Sequence, residues 1–220
     1  MDYPAGHRPA AAIIAALMPF PPIALVLTLT SVFFIAMKGN RIVVTLFAVD
    51  LGAGPLQTGI LFALHGIFPF LLAIRAGRIA DRFDNRLLMY WGLAIYAIAM
   101  MLPFLWPGMI ALYLCAAIGG FTSMLFVLAT QNYIGSLATI QTRTKYFSYY
   151  AIGESVGQVI GPVILGYAID HWTHPRAFLL LTAVTIATLT MTLAGRNRLP
   201  QHQGKASVQE KRRMSDLLNL

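Results

Sequence analysis

The chain has 220 residues, of which 58% are hydrophobic and only 11% are charged. A soluble globular domain carries about a quarter charged residues, so this sequence lacks the polar side chains that would cover a surface in water. The net charge of +8 does not indicate nucleic-acid binding, because Lys and Arg lie in short clusters between apolar runs and form no basic stripe on a soluble domain. The composition therefore predicts an integral membrane protein that has the lipid bilayer as its main partner and binds no nucleic acid.

The N-terminal 21 residues combine an apolar run with a cluster of prolines. Residues 10–18 are apolar and follow Arg8, which is also the pattern of a signal peptide. Three prolines between residues 19 and 22 interrupt that run, and a full-length apolar span follows at once. We therefore expect residues 1–21 to be a cytoplasmic lead-in that the protein retains.

Six stretches are long and apolar enough to cross a bilayer, which requires about 20 residues in a helix with every backbone polar group paired. They lie at residues 22–48, 56–75, 87–105, 109–131, 147–168 and 176–194. Glycine, proline and charged residues separate them. The predicted fold is an all-α bundle of six transmembrane helices over residues 22–195, followed by a polar tail at 196–220.

The orientation of the bundle follows from the distribution of positive charge, because cytoplasmic connections are enriched in Lys and Arg. The N-terminus, the second and fourth connections and the C-terminal tail hold thirteen of the 16 basic residues. They are Arg8, Arg75, Arg78, Arg82, Arg86, Arg143, Lys145, Arg196, Arg198, Lys205, Lys211, Arg212 and Arg213. The opposite connections hold only Arg176. Both termini are therefore expected in the cytoplasm of a cell (inner or plasma) membrane protein.

Two cations interrupt the first span, where a charge needs a specific reason to be present. Lys38 and Arg41 are three residues apart, so they share one helix face. One interpretation is a cationic wall that binds an anionic group of a solute. The alternative is a short span at 23–37, with both side chains reaching the outer surface. The second interpretation leaves the apolar run 42–49 outside the membrane without a reason, and both stay open.

Two further ionisable side chains lie within predicted spans. His65 is at the centre of the second span, where it could carry protons or be a neutral residue bonded to a neighbouring helix. Glu154 is the one acidic residue deep in a span, and Gln158 lies one turn further on the same face. An acid at this depth could take up and release protons. Alternatively, Glu154 reaches Lys145 or the interface and has a structural role.

The connection between the second and third spans carries a recognisable pattern. It reads GRIADRFDNR from residue 77 to residue 86 and resembles the cytoplasmic motif G-x-x-x-D-[RK]-x-G-[RK]-[RK] of the major facilitator superfamily. The matching residues are Gly77, Asp81, Arg82 and Arg86. Asp84 replaces the usual glycine and Asn85 replaces a basic residue. Because Asp and Asn tolerate turn geometry, we expect the turn to be kept, with one basic residue fewer beside it. The resemblance implies that this segment gates the cytoplasmic side.

The fifth span contains a stripe of glycines four residues apart. Such stripes let two membrane helices approach closely. This stripe also resembles the superfamily's fifth-helix motif G-x-x-x-G-P-x-x-G-G, which is associated mainly with antiporters, although Leu165 stands at one glycine position. The stripe and its continuation consist of Gly153, Gly157, Gly161, Pro162 and Gly166. The resemblance therefore favours export by exchange.

The resemblance implies one half of a two-bundle transporter in which a small solute binds between the halves. Residues 196–220 resemble the start of the loop that joins the two bundles. Proton-coupled members often carry an arginine in the fourth helix, which is absent here, so Glu154 or His65 would carry the protons. We expect no cofactor and no metal.

The alternative function is that of a stand-alone six-helix scaffold, which dimerises through the face of Gly157 and Gly161. An intramembrane enzyme is disfavoured because the sequence shows no catalytic constellation.

Overall fold

A computed structural model of the protein describes residues 22–82 and 84–195, with side chains at all of these positions except 22, 69 and 72–82. The described chain forms six α-helices. They are α1 (Pro22–Asp50), α2 (Pro55–Arg82), α3 (Asn85–Leu105), α4 (Met109–Leu137), α5 (Arg143–His171) and α6 (His174–Ala194). The lead-in at 1–21 and the tail at 196–220, which were predicted as separate segments, lie outside the described residues.

The predicted all-α membrane architecture is confirmed. Five of the helices are long and apolar enough to cross a bilayer, and α2 contributes the shorter apolar stretch Pro55–Phe68. Among the described residues no segment forms a β-strand. Each helix pairs its own backbone groups, which is what the hydrocarbon core of a bilayer requires of a spanning segment.

Several helices extend beyond the apolar stretches that predicted them. α2 continues to Arg82, so most of the basic run expected to be a loop is helical, and α4 continues to Leu137. α5 begins at Arg143, ahead of its apolar part. Apolar length marks only the hydrocarbon core, which is about 30 Å thick, whereas the helix can continue into the polar headgroup region.

The end of α1 shows how the sequence stops a long helix. Gly52 has a φ of 82°, a left-handed conformation that glycine adopts without a steric cost. The amide of Ala53 donates to the carbonyl of Ala48 at 2.9 Å, and the amide of Gly52 donates to that of Val49. These bonds satisfy carbonyls that the end of the helix would leave unpaired. Pro55 then starts α2, where its missing N–H is no loss.

Helix α1 lies at the centre of the bundle. It contacts α5 most extensively, and α6, α4 and α2 as well, while α3 packs between α4 and α6. Aromatic rings fill the middle, where Phe33 of α1 lies 5.1 Å from the ring of Tyr96 and 4.2 Å from that of Phe126. Gly120 of α4 lies against the α2 backbone, because a Cβ there would be 2.9 Å from the carbonyl oxygen of Leu64.

Candidate functional site

The glycine stripe of α5 lies directly against α1. A Cβ on Gly157 would be 2.5 Å from the Cβ of Phe34, and one on Gly161 would be 2.5 Å from the carbonyl oxygen of Ile35. A Cβ on Gly153 would collide with the hydroxyl of Ser31. The two backbones therefore approach more closely than any residue larger than glycine would allow. We call this contact between α1 and α5 the glycine seam.

The glycine seam overturns one interpretation made from the sequence. Gly157 and Gly161 are buried beneath α1 of the same chain, so they cannot form the interface of a homodimer. Pro162 follows them inside α5. Gly166 does not belong to the seam, since a Cβ placed there would have no atom within 4 Å. Leu165 occupies the position of the missing motif glycine and is buried against Gly39 of α1.

An ion pair crosses the glycine seam. The Nζ atom of Lys38 donates a hydrogen bond to Oε1 of Glu154 at 2.9 Å, joining α1 to α5. The Lys38 side chain is only 16% exposed and that of Glu154 is 41% exposed. Helix α1 is continuous from Pro22 to Asp50 and its segment 42–49 contributes buried residues, so Lys38 lies within the helical bundle. Glu154 thus faces Lys38, whereas the sequence had left Lys145 as a possible partner.

Aromatic and amide side chains surround the ion pair. The ammonium of Lys38 lies 5.9 Å from the centre of the Phe34 ring, within the range of a cation–π interaction. Phe34 in turn packs edge-on against Tyr150, at 5.5 Å between ring centres. The amide of Gln131 in α4 donates to the hydroxyl of Tyr150 at 3.2 Å. The Lys38–Glu154 pair and these three side chains form the cluster that we call the ion-pair site.

A second polar cluster lies between α1 and α2. His65 Nδ1 is 2.9 Å from the carbonyl oxygen of Leu61, which can only accept, so Nδ1 carries the proton. In the neutral ring Nε2 then accepts from the amide of Asn40 at 3.2 Å. The thiol of Cys115 lies 4.0 Å from the other end of the Asn40 amide. The hydrogen bond between His65 and Asn40 therefore joins α2 to α1 in this conformation.

Arg41 and Gln158 are the two remaining predicted site residues in the spans. The Nε atom of Arg41 is buried, and among the described residues it has no hydrogen-bond partner. Arg41 is close enough to His65 and Tyr96 to interact with them electrostatically. Gln158 is exposed on α5, one turn beyond Glu154. The structure thus brings Lys38 and Glu154 together, while Arg41, near the second cluster, has no ion-pair partner among the described residues.

The motif between α2 and α3 spans a very short connection. Gly77, Asp81 and Arg82 fall in the final turns of α2, and their side chains lie outside the described set. Asp84 caps α3, because its carboxylate accepts from the amide of Arg86 at 3.1 Å. Its φ of −62° is an ordinary one, so an aspartate fits where the motif has glycine. The gating role of these residues stays a prediction.

Sequence reasoning missed several contributors to these clusters, and two of them had a signal in the sequence. Tyr150 is one turn before Glu154 on α5, and its position on a helical face shared with a charged residue was an available signal. Asn40 is flanked by the two cations of α1 and is completely buried. A lone amide in an apolar span needs a hydrogen-bond partner, so Asn40 could have been predicted as an interhelical contact.

Comparison with known proteins places the chain among membrane transporters. The family model described as "Major Facilitator Superfamily" matches residues 10–218. The chain is 27% identical over 186 residues to Multidrug resistance protein 1 of Bacillus subtilis, covering 82% of this chain and 48% of that protein. It is 22% identical over 163 residues to Quinolone resistance protein NorA of Staphylococcus aureus, covering 73% of this chain and 42% of that protein. The chain thus spans about half the length of the curated relatives it matches.

Solved structures give the same fold. The crystal structure of peptide transporter POT in complex with sulfate superposes with a TM-score of 0.76 at 16% sequence identity. That superposition covers 96% of this chain and 48% of the peptide transporter. The POT family transporter PepTSo superposes with a TM-score of 0.73 at 15% identity, over 86% of this chain and 40% of the other. At these identities the likeness defines the fold alone.

Proposed function

The chain belongs to the major facilitator superfamily, and from this premise we propose that it is the N-terminal half of a secondary transporter that exports a small amphipathic solute in exchange for protons. Members of the family are transporters, so the chain is not an enzyme. Export is supported by the drug-resistance proteins among the relatives and by the glycine motif of α5. Proton exchange is supported by the ion-pair site.

A second six-helix bundle is the partner that this proposal requires. In such transporters the solute binds between two bundles that rock against each other. The half-length match to the curated relatives supports an N-terminal bundle that works with a further one. The broad apolar surfaces of α2 and α5 also support it, with Phe70 82% exposed and Val159 67% exposed. Lipid and the second bundle would share these surfaces.

The Lys38–Glu154 ion pair is the observation that carries the proposal. When Glu154 is deprotonated, its carboxylate holds the ammonium of Lys38 across the glycine seam. When Glu154 takes up a proton, the pair loses its charge attraction and Lys38 is left as a partly buried cation without a partner. The two protonation states therefore favour different positions of the Lys38 side chain. An antiporter needs such a difference, because proton binding must change the state of the solute site.

The test is transport in vesicles made from membranes that contain the protein. An imposed pH gradient should drive uptake of an amphipathic dye into everted vesicles, with ethidium as a cationic probe and fluorescein as an anionic probe. Replacing Glu154 by Gln keeps the size and removes the charge, so we expect pH-driven uptake to fall to the background while the protein inserts normally.

The matched control is Asp170→Asn, which neutralises an exposed carboxylate on the same helix. This variant should transport like the parent. If Glu154→Gln also responds to the pH gradient as the parent does, Glu154 is a structural residue and the proposed coupling role is wrong.

A further inference from the structure

A groove opens at the end of the bundle where α3 finishes and α6 begins. Its volume is about 460 Å³. The lining is apolar except for one cation and one indole, and consists of Phe104, Trp172, Arg176, Leu179, Leu180 and Ala183. This groove is separate from the ion-pair site, since it involves neither α1 nor the middle of α5.

Arg176 supplies the charge of the groove. It is exposed, and no hydrogen bond or ion pair joins it to any other residue in the described part of the chain. The nearby carboxylate of Asp50 on α1 does not pair with Arg176 in the described part of the chain, since it lies 3.4 Å from His174 instead. Arg176 is also the one basic residue in the three connections predicted to face away from the cytoplasm. It is therefore a cation available to an outside ligand.

In the predicted topology, the remaining wall of the groove runs along α6 from the membrane surface toward the bilayer centre. Arg176 and Ala183 are seven residues apart on α6, which is about 10 Å along the helix axis. Leu179 and Ala183 continue the face that Arg176 begins, because they follow it at intervals of three and seven residues. Trp172 lies just past the end of α5 and is 53% exposed. Tryptophan is enriched at this depth, where the headgroups meet the hydrocarbon.

We propose that this groove binds an anionic phospholipid, with its phosphate group at Arg176 and an acyl chain along Leu179 and Ala183. A guanidinium can donate two parallel hydrogen bonds to a phosphate. The apolar wall beneath Arg176 matches an acyl chain and gives a free phosphate ion no contact. A zwitterionic lipid fits the same wall and leaves part of the charge of Arg176 unmatched. Charge and shape together therefore select an anionic lipid.

The experiment uses the fluorescence of Trp172 in the full chain. The sequence has three tryptophans, so replacing Trp91 and Trp106 by Phe leaves Trp172 as the reporter. The protein is placed in vesicles of equal phosphatidylglycerol and phosphatidylcholine, with bromine on the acyl chains of one lipid or of the other. Bromine quenches indole fluorescence only on contact, and the lipid composition stays constant. Quenching should show a preference of roughly fivefold for phosphatidylglycerol.

Two substitutions make the outcome decisive. Arg176→Gln should reduce the preference to equality, and Arg176→Lys should keep most of it. A second reporter protein, which retains only Trp91 near the other end of α3, should give a signal that Arg176→Gln does not change. That reporter also shows that the variant is still folded in the bilayer.

Three results would overturn the proposal. Equal quenching by the two brominated lipids in the parent would mean that the groove does not select anionic lipids. A preference that survives Arg176→Gln would mean that Arg176 is not its cause. Loss of the preference on addition of inorganic phosphate, but not of chloride at equal ionic strength, would identify a site for a free anion.

Discussion

Arg41 is the residue whose role the structure changes most. The sequence grouped it with Lys38 as one cationic wall, but Glu154 neutralises Lys38 and leaves Arg41 unpaired among the described residues. If the solute carries a negative group, Arg41 is therefore the cation that would attract it. We expect Arg41→Gln to lower transport of fluorescein, an anionic probe, by about tenfold or more, since a charged hydrogen bond contributes about 1.5–3 kcal/mol.

The same Arg41→Gln variant should transport an uncharged dye nearly as well as the parent, and Arg41→Lys should recover part of the transport of fluorescein. Initial rates in everted vesicles measure both effects. Equal losses for the charged and the uncharged dye would indicate a defect in folding, and Arg41 would then have no role in selecting solutes.

At this scale the sequence identified charged residues and could not identify their partners. Lys38 and Glu154 both stood out because charge is rare within a span, but they are 116 residues apart along the chain. Their contact depends on how α5 packs against α1, which a local pattern does not encode. His65 had two open interpretations for the same reason, because its contact with Asn40 of α1 is not visible in a local pattern.

At the scale of helices, the glycine seam makes a prediction about stability. Gly157→Ala would place a methyl group 2.5 Å from the Cβ and 2.8 Å from the backbone carbon of Phe34. Because the two helices would have to move apart, we expect the free energy of unfolding to fall by about 1–3 kcal/mol. Thermal unfolding in detergent should show a lower midpoint for this variant.

Gly166→Ala is the matched control for the glycine seam, since the same substitution on the same helix meets open space. Alanine is favoured over glycine in a helix by about 1 kcal/mol, so this variant should unfold at the midpoint of the parent or slightly above it. If both variants behave alike, the contact between α1 and α5 is looser than the seam requires.

The helices themselves were predictable because a membrane span has one strong signal, a long apolar run. That signal located all six, yet the helices α2 and α4 end seven and six residues later than predicted, and α5 begins four residues earlier. Polar side chains such as Ser136 and Arg143 look like loops in a hydropathy pattern, although residues 136–137 and 143–145 are helical and only residues 138–142 form the connection. They are compatible with a helix that has left the hydrocarbon, where hydropathy no longer distinguishes a helix from a loop.

At the scale of the whole molecule, the distribution of charge predicts which face of the bundle is cytoplasmic. The 75–86 segment and the 136–146 segment share one side, and the connection between α5 and α6 lies on the other. Positive charge is retained in the cytoplasm during insertion, so the basic side should face inward. Cysteine labelling can test this because Cys115 is the single cysteine in the sequence and is fully buried.

In a Cys115→Ala background, one new cysteine is placed in each kind of connection. Ile140 lies between α4 and α5 and is 92% exposed, and Thr173 is an exposed residue between α5 and α6. A membrane-impermeant maleimide added to intact cells should label the protein with Thr173→Cys. It should label the protein with Ile140→Cys only after the membrane has been opened. The reverse pattern would place both termini outside the cell. It would contradict the orientation on which the proposed direction of export depends.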